Sequence, residues 1–449
     1  MSDNRTSPSD PDLTSALAAL RREKPALGIP KLHALLLSEN PGWLVSEKRT
    51  RKVLQSLGLT NTVKTSSTNS TGGLKSPASK LLDGLDPFKF TQKGPALRVE
   101  YFDEKKGKGL IATTNISEGT IIWKEDPFAL APEWDIYDLT TNSVACTFCS
   151  TPFSDPSSPL IVKCSDNPSS AYCPARFCNR LCSTRGAKVS HALLCPARNP
   201  KAKELFQFIR VNHWMALHAL VQCTTRLLLS ATTPNQKQPE PSLDEEWAIF
   251  NSFASLSLED REAWLGSHQH MHLTWKEAFQ LYRQALWDPP TDTDKKRLAK
   301  LSKRTFQSAE TEAVRKKLNE EFFSYDAFLR NLGRMSLNLE GHGGLYILHS
   351  HLNHSCTPNV SVRHLHRSTN LSRISVVTKR DIAAGEELFV SYVDPGLPVS
   401  ARQHKLREWS FRCGCEKCKE EEAATGGETG EAEPPTDLEK ELKDGLGLF

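Results

Sequence analysis

Residues 349–360 have the sequence HSHLNHSCTPNV, which places three histidines and one cysteine within eight positions, His349 to Cys356. The role of Cys356 largely decides how the chain is interpreted, because this thiol could be an activated nucleophile, a metal ligand or a small buried residue. No other part of a thiol-hydrolase pattern is visible in the sequence. The C-x-C-x-x-C pattern at residues 413–418 offers three thiolates, one ligand short of a tetrahedral zinc site. Cys356, which lies 57 residues before Cys413, is predicted to supply the fourth.

A second group of potential metal ligands lies between residues 146 and 195, where seven cysteines and one histidine occur. Eight ligands fill two tetrahedral zinc sites with none left over. The stretch has too few apolar residues for a core of its own, so metal binding would provide its folding energy. The eight predicted ligands are Cys146, Cys149, Cys164, Cys173, Cys178, Cys182, His191 and Cys195. Cys223, by contrast, lies in an apolar helical pattern and is predicted to be a core residue.

The 449 residues are 38% hydrophobic and 24% charged, as expected of a soluble protein with two to four domains. The net charge of +4 hides an asymmetry: residues 420–449 carry ten acidic and two basic residues, so the rest carries +12. A basic body suggests an acidic partner such as chromatin, and the alternative is ordinary solubilising charge. No run of 18 apolar residues occurs, so we expect no membrane span. The opening MSDNRTSPSD has no apolar segment, so we expect no secretory signal and reduced cysteines.

The first part of the chain predicts a helix-turn-helix-like module over residues 12–59. Three short helices are expected there, with Ser46 capping the third and Gly58 ending it. The third helix carries the basic run KRTRK, which suggests nucleic-acid or nucleosome contact; the alternative is a solvated basic helix in an interaction module. Ten of residues 60–80 are Ser or Thr, so residues 60–95 are predicted to be a flexible linker.

The remainder predicts a mixture of strands and helices, and hence an α+β fold. LRVEYF and GTIIWKE, rich in branched and aromatic residues, predict strands around the turn-rich KKGKG. Capping-box pairs mark two helix starts, Ser242 with Glu245 and Thr274 with Glu277. Helices are predicted over residues 201–229, 242–286 and 322–340, and strands with tight loops over residues 344–393. The acidic residues 420–449 are predicted to be disordered.

Four segments together resemble a SET domain with its post-SET zinc site. They are KKGKGL at 105–110, NHSCTPNV at 353–360, GEELFVSYVD at 385–394 and FRCGCEKC at 411–418. The cysteine-rich stretch between the two halves resembles a zinc-binding MYND finger, and this combination is typical of SET-and-MYND lysine methyltransferases. The N-terminal module and the acidic tail make the chain most similar to the fungal histone-lysine methyltransferases of this type.

This resemblance implies a SET β-core that is interrupted by a MYND insertion and a helical insertion. The implied divisions are 12–59 for the helical module, 60–95 for the linker, 96–145 for the first SET half, 146–195 for the two-zinc MYND-like finger, 196–335 for the helical insertion, 336–395 for the catalytic SET half, 396–419 for the post-SET zinc segment and 420–449 for the tail. In the finger, the resemblance pairs Cys146 and Cys149 with Cys178 and Cys182, and Cys164 and Cys173 with His191 and Cys195. The eight residues between Cys164 and Cys173 depart from the usual tight C-x-x-C pair.

The resemblance also implies the chemistry, which is methyl transfer from S-adenosyl-L-methionine to a lysine amine, and about three bound zinc ions. Tyr392 matches the active-site tyrosine. The expected cofactor-binding residues are Gly107, Lys108, Gly109, Asn338, Asn353, His354, Tyr392 and Phe411. For Lys108, the alternative is a solvated loop lysine. Trp409 and Val390 are expected to line the lysine channel, where Glu340 departs from the usual apolar residue.

Histone tails or other lysine-bearing proteins are the expected substrates of a monomeric enzyme in the nucleus, with the cytoplasm as a second location. A basic surface could also contact nucleosomes or DNA. Three alternatives stay open: a non-histone lysine methyltransferase, a chromatin adaptor with a peptide-binding MYND finger and an inactive SET fold, and a DNA-binding regulator that uses the helix at 47–57.

Overall fold

The computed structural model describes ten segments of the chain, which divide between two units, Met1–Gly73 and Leu74–Phe449. The described residues are 6–24, 29–56, 74–81, 86–90, 96–164, 172–230, 242–265, 271–301, 309–364 and 372–424. Most of the predicted linker, residues 60–73, 82–85 and 91–95, and of the predicted disordered tail, residues 425–449, therefore lies outside the described residues, as does Gly58, the predicted end of the third helix.

In the N-terminal unit, three helices pack around leucine side chains. They are α1 (Asp10–Glu23), α2 (Ile29–Glu39) and α3 (Glu47–Ser56). Ser46 accepts a hydrogen bond from the backbone N–H of Arg49 at 3.2 Å and so caps α3. Within the basic run, Arg49 pairs with Asp10 at 2.5 Å and Arg51 pairs with Glu47 at 3.0 Å. Part of the basic charge is thus neutralised inside the unit, and nucleic-acid contact stays a prediction.

The described strands of the larger unit form five small sheets. The strands are β1 (Leu97–Asp103), β2 (Gly107–Ala112), β3 (Ile121–Glu125), β4 (Ala129–Leu130), β5 (Val162–Lys163), β6 (Arg176–Phe177), β7 (Gly344–Leu345), β8 (Asn353–His354), β9 (Val360–His364), β10 (Ile374–Thr378) and β11 (Phe389–Val390). The three-stranded sheet has the order β3–β10–β9 and is antiparallel throughout. Trp123 on β3 is opposite Val376 on β10, and both side chains are fully buried. This pairing joins the early strands to the late ones across the helical insertion.

Helices between the early and late strands form the largest hydrophobic core. The helices of this unit are α4 (Trp134–Thr141), α5 (Arg180–Gly186), α6 (Ala192–Leu194), α7 (Pro200–Val211), α8 (Met215–Ser230), α9 (Leu243–Ser252), α10 (Leu258–Leu265), α11 (Met271–Leu286), α12 (Asp292–Leu301), α13 (Ala309–Phe322), α14 (Tyr325–Asn338), α15 (Val399–Leu406) and α16 (Glu416–Ala424). Buried residues occur all around α8, as expected of a central helix. Cys223 on α8 is fully buried, which confirms its prediction as a core residue. None of the described helices is both long and apolar enough to cross a membrane.

Residues 74–81 correct the prediction of a continuous flexible linker. Ala78 and Ser255 exchange two backbone hydrogen bonds, at 2.9 and 2.8 Å. The indole N–H of Trp264 also donates to the carbonyl of Lys75 at 2.7 Å. Backbone pairing of this kind does not depend on side-chain composition, so it cannot be predicted from a Ser- and Thr-rich sequence.

Two more expectations about segment ends are wrong. The predicted disordered tail starts within α16, where Glu421 pairs with Arg402 at 2.8 Å and so extends the ordered segment to residue 424. The capping box at Thr274 is absent because α11 already begins at Met271. The box at Ser242 is present, with both reciprocal hydrogen bonds formed.

Candidate active site and metal centres

The twelve predicted metal ligands form three groups of four in the structure. Within each group the ligand atoms lie within 4.8 Å of one another, and one pair of sulfur atoms in each is 3.6, 3.9 and 3.5 Å apart, respectively. A tetrahedral site with Zn–S bonds of about 2.3 Å has a sulfur–sulfur edge of about 3.8 Å, whereas a disulfide needs about 2.05 Å. The donor sets therefore fit zinc ions. The groups are Cys146, Cys149, Cys178 and Cys182; Cys164, Cys173, His191 and Cys195; and Cys356, Cys413, Cys415 and Cys418.

The unusual spacing of Cys164 and Cys173 does not separate them in space. The Nε2 atom of His191 lies 3.3 Å from the sulfur of Cys164 and 3.7 Å from that of Cys173. Strands β5 and β6 pair beside this group, and the ring of Phe177 on β6 packs edge-on against His191 at 5.4 Å. The longer spacing is therefore compatible with one shared site, although residues 165–171 lie outside the described residues.

Arg402, which sequence reasoning missed, lies against the third cysteine group. Its side chain is 1% exposed. The Nε–H group donates to the sulfur of Cys356 at 3.2 Å, and Nη2 donates to the sulfur of Cys418 at 3.6 Å and to Glu421 at 2.8 Å. A buried guanidinium beside four cysteines is expected to stabilise their thiolate forms.

A fully buried asparagine, Asn359, fastens the NHSC segment to the GEEL segment. Its amide N–H groups donate to the backbone carbonyl of Glu387 at 2.7 Å and to a carboxylate oxygen of Glu386 at 3.0 Å. Its own carbonyl accepts from the backbone N–H of Phe389 at 2.7 Å. These bonds flank the parallel pairing of β8 with β11, in which Asn353 is opposite Phe389. Asn359 therefore sets the register of the two strands that carry the predicted site.

Gly109 is required by close packing in this region. A Cβ at this position would lie 2.8 Å from a carboxylate oxygen of Glu387 and 3.0 Å from the amide nitrogen of Asn353. Asn353 donates to that same Glu387 oxygen at 2.9 Å and to the carbonyl of Lys108 at 3.0 Å. Gly107 occupies the β1–β2 turn at φ +70°, a backbone conformation that favours glycine. Gly109 on β2 and Asn353 on β8 thus lie against each other, two residues after the turn at Gly107.

His354 connects the third cysteine group to Tyr392. Its Nδ1 atom accepts a hydrogen bond from the backbone N–H of Tyr392 at 3.0 Å. The proton of the neutral ring must then be on Nε2, which lies 3.4 Å from the sulfur of Cys356. Burial, with a smaller contribution from the charge of Arg402, lowers the pKa of His354 to about 4, so the ring is neutral near pH 7. A single imidazole thus joins a metal-ligand candidate to the backbone of the predicted catalytic residue.

Tyr392 lies among aromatic rings, with its hydroxyl group held in one orientation. The hydroxyl donates to the carbonyl of Leu352 at 2.7 Å, which leaves the lone pairs of the oxygen directed elsewhere. Its ring centroid is 5.3 Å from that of His354, 5.4 Å from Trp409 and 6.2 Å from Phe411. Burial raises the pKa of Tyr392 above its ordinary value, so the hydroxyl stays protonated. The residue is therefore a neutral, oriented polar group in an otherwise apolar pocket.

Two predicted cofactor residues already have partners within the protein. Lys108 is 3% exposed, so the alternative of a solvated loop lysine is wrong; it lies on β2 and its ammonium group donates to the carbonyl of Ser252 at 2.7 Å. Burial lowers the pKa of Lys108 to about 7. Asn338 donates to the carbonyls of Ala254 and Arg334 at 2.8 and 2.7 Å. These contacts attach both residues to the segment around α9.

Two carboxylates hold the segment that precedes the NHSC motif. Glu125 is buried and accepts from the backbone N–H groups of Leu348 and His349 at 2.8 and 3.1 Å, and burial raises its pKa. Glu340, the departure noted in the sequence, lies 3.0 Å from the Nε2 atom of His349. Burial acts to raise the pKa of Glu340, but the charge of His349 and its hydrogen bond lower it to about 2. Glu340 is thus an ionised carboxylate with an imidazole partner.

Comparison with known proteins agrees with these features. Residues 107–393 match the family model described as SET domain. A histone-lysine N-methyltransferase SET5 from Mycosarcoma maydis is 32% identical over 384 residues, which cover 80% of this chain and 75% of that protein. The SET5 protein of Yarrowia lipolytica is 30% identical over 93% of this chain and 83% of that protein.

Among solved structures, the SET domain of LSMT bound to lysine and AdoHcy matches at 11% identity, over 66% of this chain and 49% of that one. The TM-score is 0.26, which is too low to support a structural conclusion. The assignment to a family rests on the match to the family model and on the fungal relatives. The chain therefore belongs to the SET domain family, in the group represented by the fungal SET5 histone-lysine N-methyltransferases.

Proposed function

We propose that this SET domain protein transfers the methyl group of S-adenosyl-L-methionine to lysine side chains of histones in the nucleus. The observation that carries the proposal is the environment of Tyr392, an oriented hydroxyl in an aromatic pocket beside the paired strands β8 and β11. Relatives named as histone-lysine methyltransferases support the histone substrate. We also propose that residues 146–195 form a two-zinc finger of the MYND type.

The chain has two chemical tasks in this reaction. The first is to deprotonate the lysine, whose ordinary pKa of about 10.4 makes the neutral amine cost roughly 4 kcal/mol near pH 7.4. Trp409 and Phe411 flank Tyr392 with apolar surface, which disfavours the ammonium form. S-adenosyl-L-methionine, when bound, supplies the electrophilic methyl group and a cationic sulfonium that acts in the same direction.

The second task is to orient the amine in line with the methyl carbon and the sulfur. The hydroxyl of Tyr392 donates its only proton to Leu352, so its oxygen can act only as an acceptor toward the pocket. We assign this oxygen to the amine N–H and the polarised methyl group. Trp409, Ser410 and Phe411 bring the C-terminal segment to the pocket, and Ser410 has φ +58°, a left-handed conformation that costs free energy and is held here by the surrounding structure.

Cofactor binding is proposed for the point where β2 meets β8. The backbone groups of Gly107 and Gly109 and the carbonyl of the Asn353 side chain would contact the methionine part, with His354 and Phe411 beside the adenine. Lys108 and Asn338 would support the cofactor site indirectly, because their polar groups already form hydrogen bonds with the backbone of Ser252 and of Ala254. In this assignment the zinc bound by Cys356 and its three partners fastens Phe411 in place.

The test is methyl transfer from labelled S-adenosyl-L-methionine to a panel of purified histones. The Tyr392→Phe variant keeps the ring and removes only the hydroxyl, so we expect unchanged cofactor affinity and a decrease in kcat of about a hundredfold or more, as for loss of one preorganised polar group. Equal kcat in the two proteins would exclude Tyr392 from catalysis. Binding of histone peptide without any methylation would favour the adaptor function, and activity confined to other proteins would favour a non-histone enzyme.

A further inference from the structure

Outside the three cysteine groups, a carboxylate and two imidazoles converge in the larger unit. One oxygen of Glu340 and one ring nitrogen each of His342 and His364 lie within 4.8 Å of one another. The rings of His342 and His364 are 3.9 Å apart between centroids. These residues take no part in the methyl-transfer scheme above, so their proximity needs a separate explanation.

The backbone that carries Glu340 and His342 is fixed in a tight turn. The N–H of Gly343 donates to the carbonyl of Glu340 at 2.7 Å, and the N–H of Glu340 donates to the carbonyl of Gly344 at 2.9 Å. Gly343 has φ +89°, and a Cβ there would come within 1.6 Å of the carbonyl oxygen of Ala131. The turn is therefore held in place before any ligand binds.

The hydrogen bonds of Tyr346 fix the tautomer of His342. The hydroxyl of Tyr346 donates its single proton to the carbonyl of Ser372, which can only accept. Its contact with Nε2 of His342, at 2.7 Å, must therefore be an N–H group of the histidine donating to the tyrosine oxygen. In the neutral ring the Nδ1 atom then carries the lone pair. That atom is buried and has no hydrogen-bond partner.

A buried imidazole lone pair without a partner, beside a second imidazole and an ionised carboxylate, is the arrangement that a transition-metal ion satisfies. Metal-binding histidines commonly donate their other ring N–H to a neighbouring oxygen, as His342 does to Tyr346. Two imidazoles and one carboxylate suit zinc and similar divalent ions, with water completing the coordination. His364 is exposed at the end of β9, and its ligand nitrogen already lies within 4.8 Å of those of the other two residues.

We propose that Glu340, His342 and His364 form a fourth metal site, which binds a divalent transition-metal ion such as Zn²⁺. It differs from the three cysteine groups in having only nitrogen and oxygen ligands. The site connects the turn after α14 to the end of β9. His349 stays beside it as the partner of Glu340, at the start of the segment that leads to Asn353.

Calorimetric titration of the zinc-loaded wild-type protein with ZnCl₂ tests the site. We expect an additional binding event in wild type and at least a tenfold weaker one in His364→Asn. Arg363→Gln is the matched control, because Arg363 is the neighbouring exposed residue on the same strand and is not a ligand. The exposed His364 is chosen because changing His342 would also remove a buried hydrogen bond and could unfold the turn.

Two readouts separate this site from incompletely filled cysteine groups. Refilling of cysteine groups would be equal in wild type and His364→Asn, so equal binding in the two proteins overturns the proposal, as does the absence of any additional zinc in wild type. If Co²⁺ is added instead, the fourth site should show weak visible bands without the intense sulfur-to-metal absorption of thiolate ligands. Zinc should also raise the unfolding temperature of wild type and of Arg363→Gln, but not that of His364→Asn.

Discussion

Replacing Arg402 with methionine isolates the contribution of one buried charge to the third zinc site. Methionine retains an unbranched apolar side chain of similar length, so the packing around α15 changes little. What is lost is the guanidinium, with its contacts to the sulfur atoms of Cys356 and Cys418 at 3.2 and 3.6 Å. Its partner Glu421 is 36% exposed in its side chain, so water can solvate that carboxylate after the change.

The size of the effect follows from these contacts. A zinc ion with four thiolates carries a net charge of about −2, which a buried guanidinium partly neutralises. One hydrogen bond to a charged group contributes about 1.5–3 kcal/mol, and removal of a group that supports a metal ligand typically lowers affinity by about 10- to 100-fold. The contact at 3.2 Å has the length of a full hydrogen bond and the one at 3.6 Å is longer. We therefore expect zinc affinity at this site to decrease by about 10- to 100-fold.

The assay is the transfer of zinc to a colorimetric chelator, followed at equilibrium. Arg412→Met is the matched control, because Arg412 also pairs with a glutamate of α16, Glu422 at 3.0 Å, but its side chain is 61% exposed, and the recorded partner of its guanidinium is this carboxylate and not a cysteine sulfur. One zinc per chain should be lost at lower chelator concentration in Arg402→Met than in Arg412→Met or wild type. Identical release curves for the two variants would refute the role assigned to the buried guanidinium.

Three further changes give distinct results. Cys356→Ser should reduce the zinc content, measured by metal analysis, from about three ions per chain to about two, and should abolish methylation. A variant that still binds about three zinc ions would show that Cys356 does not share a site with Cys413, Cys415 and Cys418. Lys108→Met tests pH dependence, because burial lowers the pKa of Lys108 in the folded protein to about 7 from the ordinary 10.5. Between these pH values the unfolded chain binds more protons than the folded one, so the free energy of unfolding of wild type relative to the variant should rise with pH. The expected rise is on the order of 2 kcal/mol between about pH 7 and 9. No change in the difference across this range would show that Lys108 is solvated. Asn359→Ala removes the three hydrogen bonds of a fully buried residue and should lower the free energy of unfolding by about 3 kcal/mol in urea titrations; a loss below about 1 kcal/mol would show that the strand register does not depend on it.

Local patterns made part of this molecule predictable from the sequence. A structural zinc site needs four ligands, thiolate or imidazole, so the count of seven cysteines with His191 predicted two sites even where the spacing of Cys164 and Cys173 was unusual. Ser242 was identified as a helix cap because the capping box is a contact over three residues. Thr274 has the same spacing, but α11 starts earlier, so tertiary packing decided that end.

Contacts between distant segments were not predictable in this way. Asn359 and Arg402 act on residues tens of positions away, and Glu125 binds a backbone segment 223 residues later, so no periodicity or spacing reveals them. The burial of Lys108 depends on the position of Ser252, which the sequence does not indicate. His342 and His364 gave no signal because two histidines 22 positions apart become neighbours only when the turn and β9 are both in place.

The pairing of early strands with late ones has a consequence for synthesis on the ribosome. Asn353 donates to the carbonyl of Lys108 across 245 residues, and Leu348 donates to Glu125 across 223. At roughly 5–20 residues per second, β2 emerges about 10–50 s before its late partners. During that time β3 has no partner strand, because it pairs with β10, whereas β1 and β2 can pair with each other and the central helices can already fold. A nascent chain of this kind is most exposed to aggregation before residue 390 is made. The yield of folded protein should therefore depend more on the supply of chaperones during translation than on the stability of the finished enzyme.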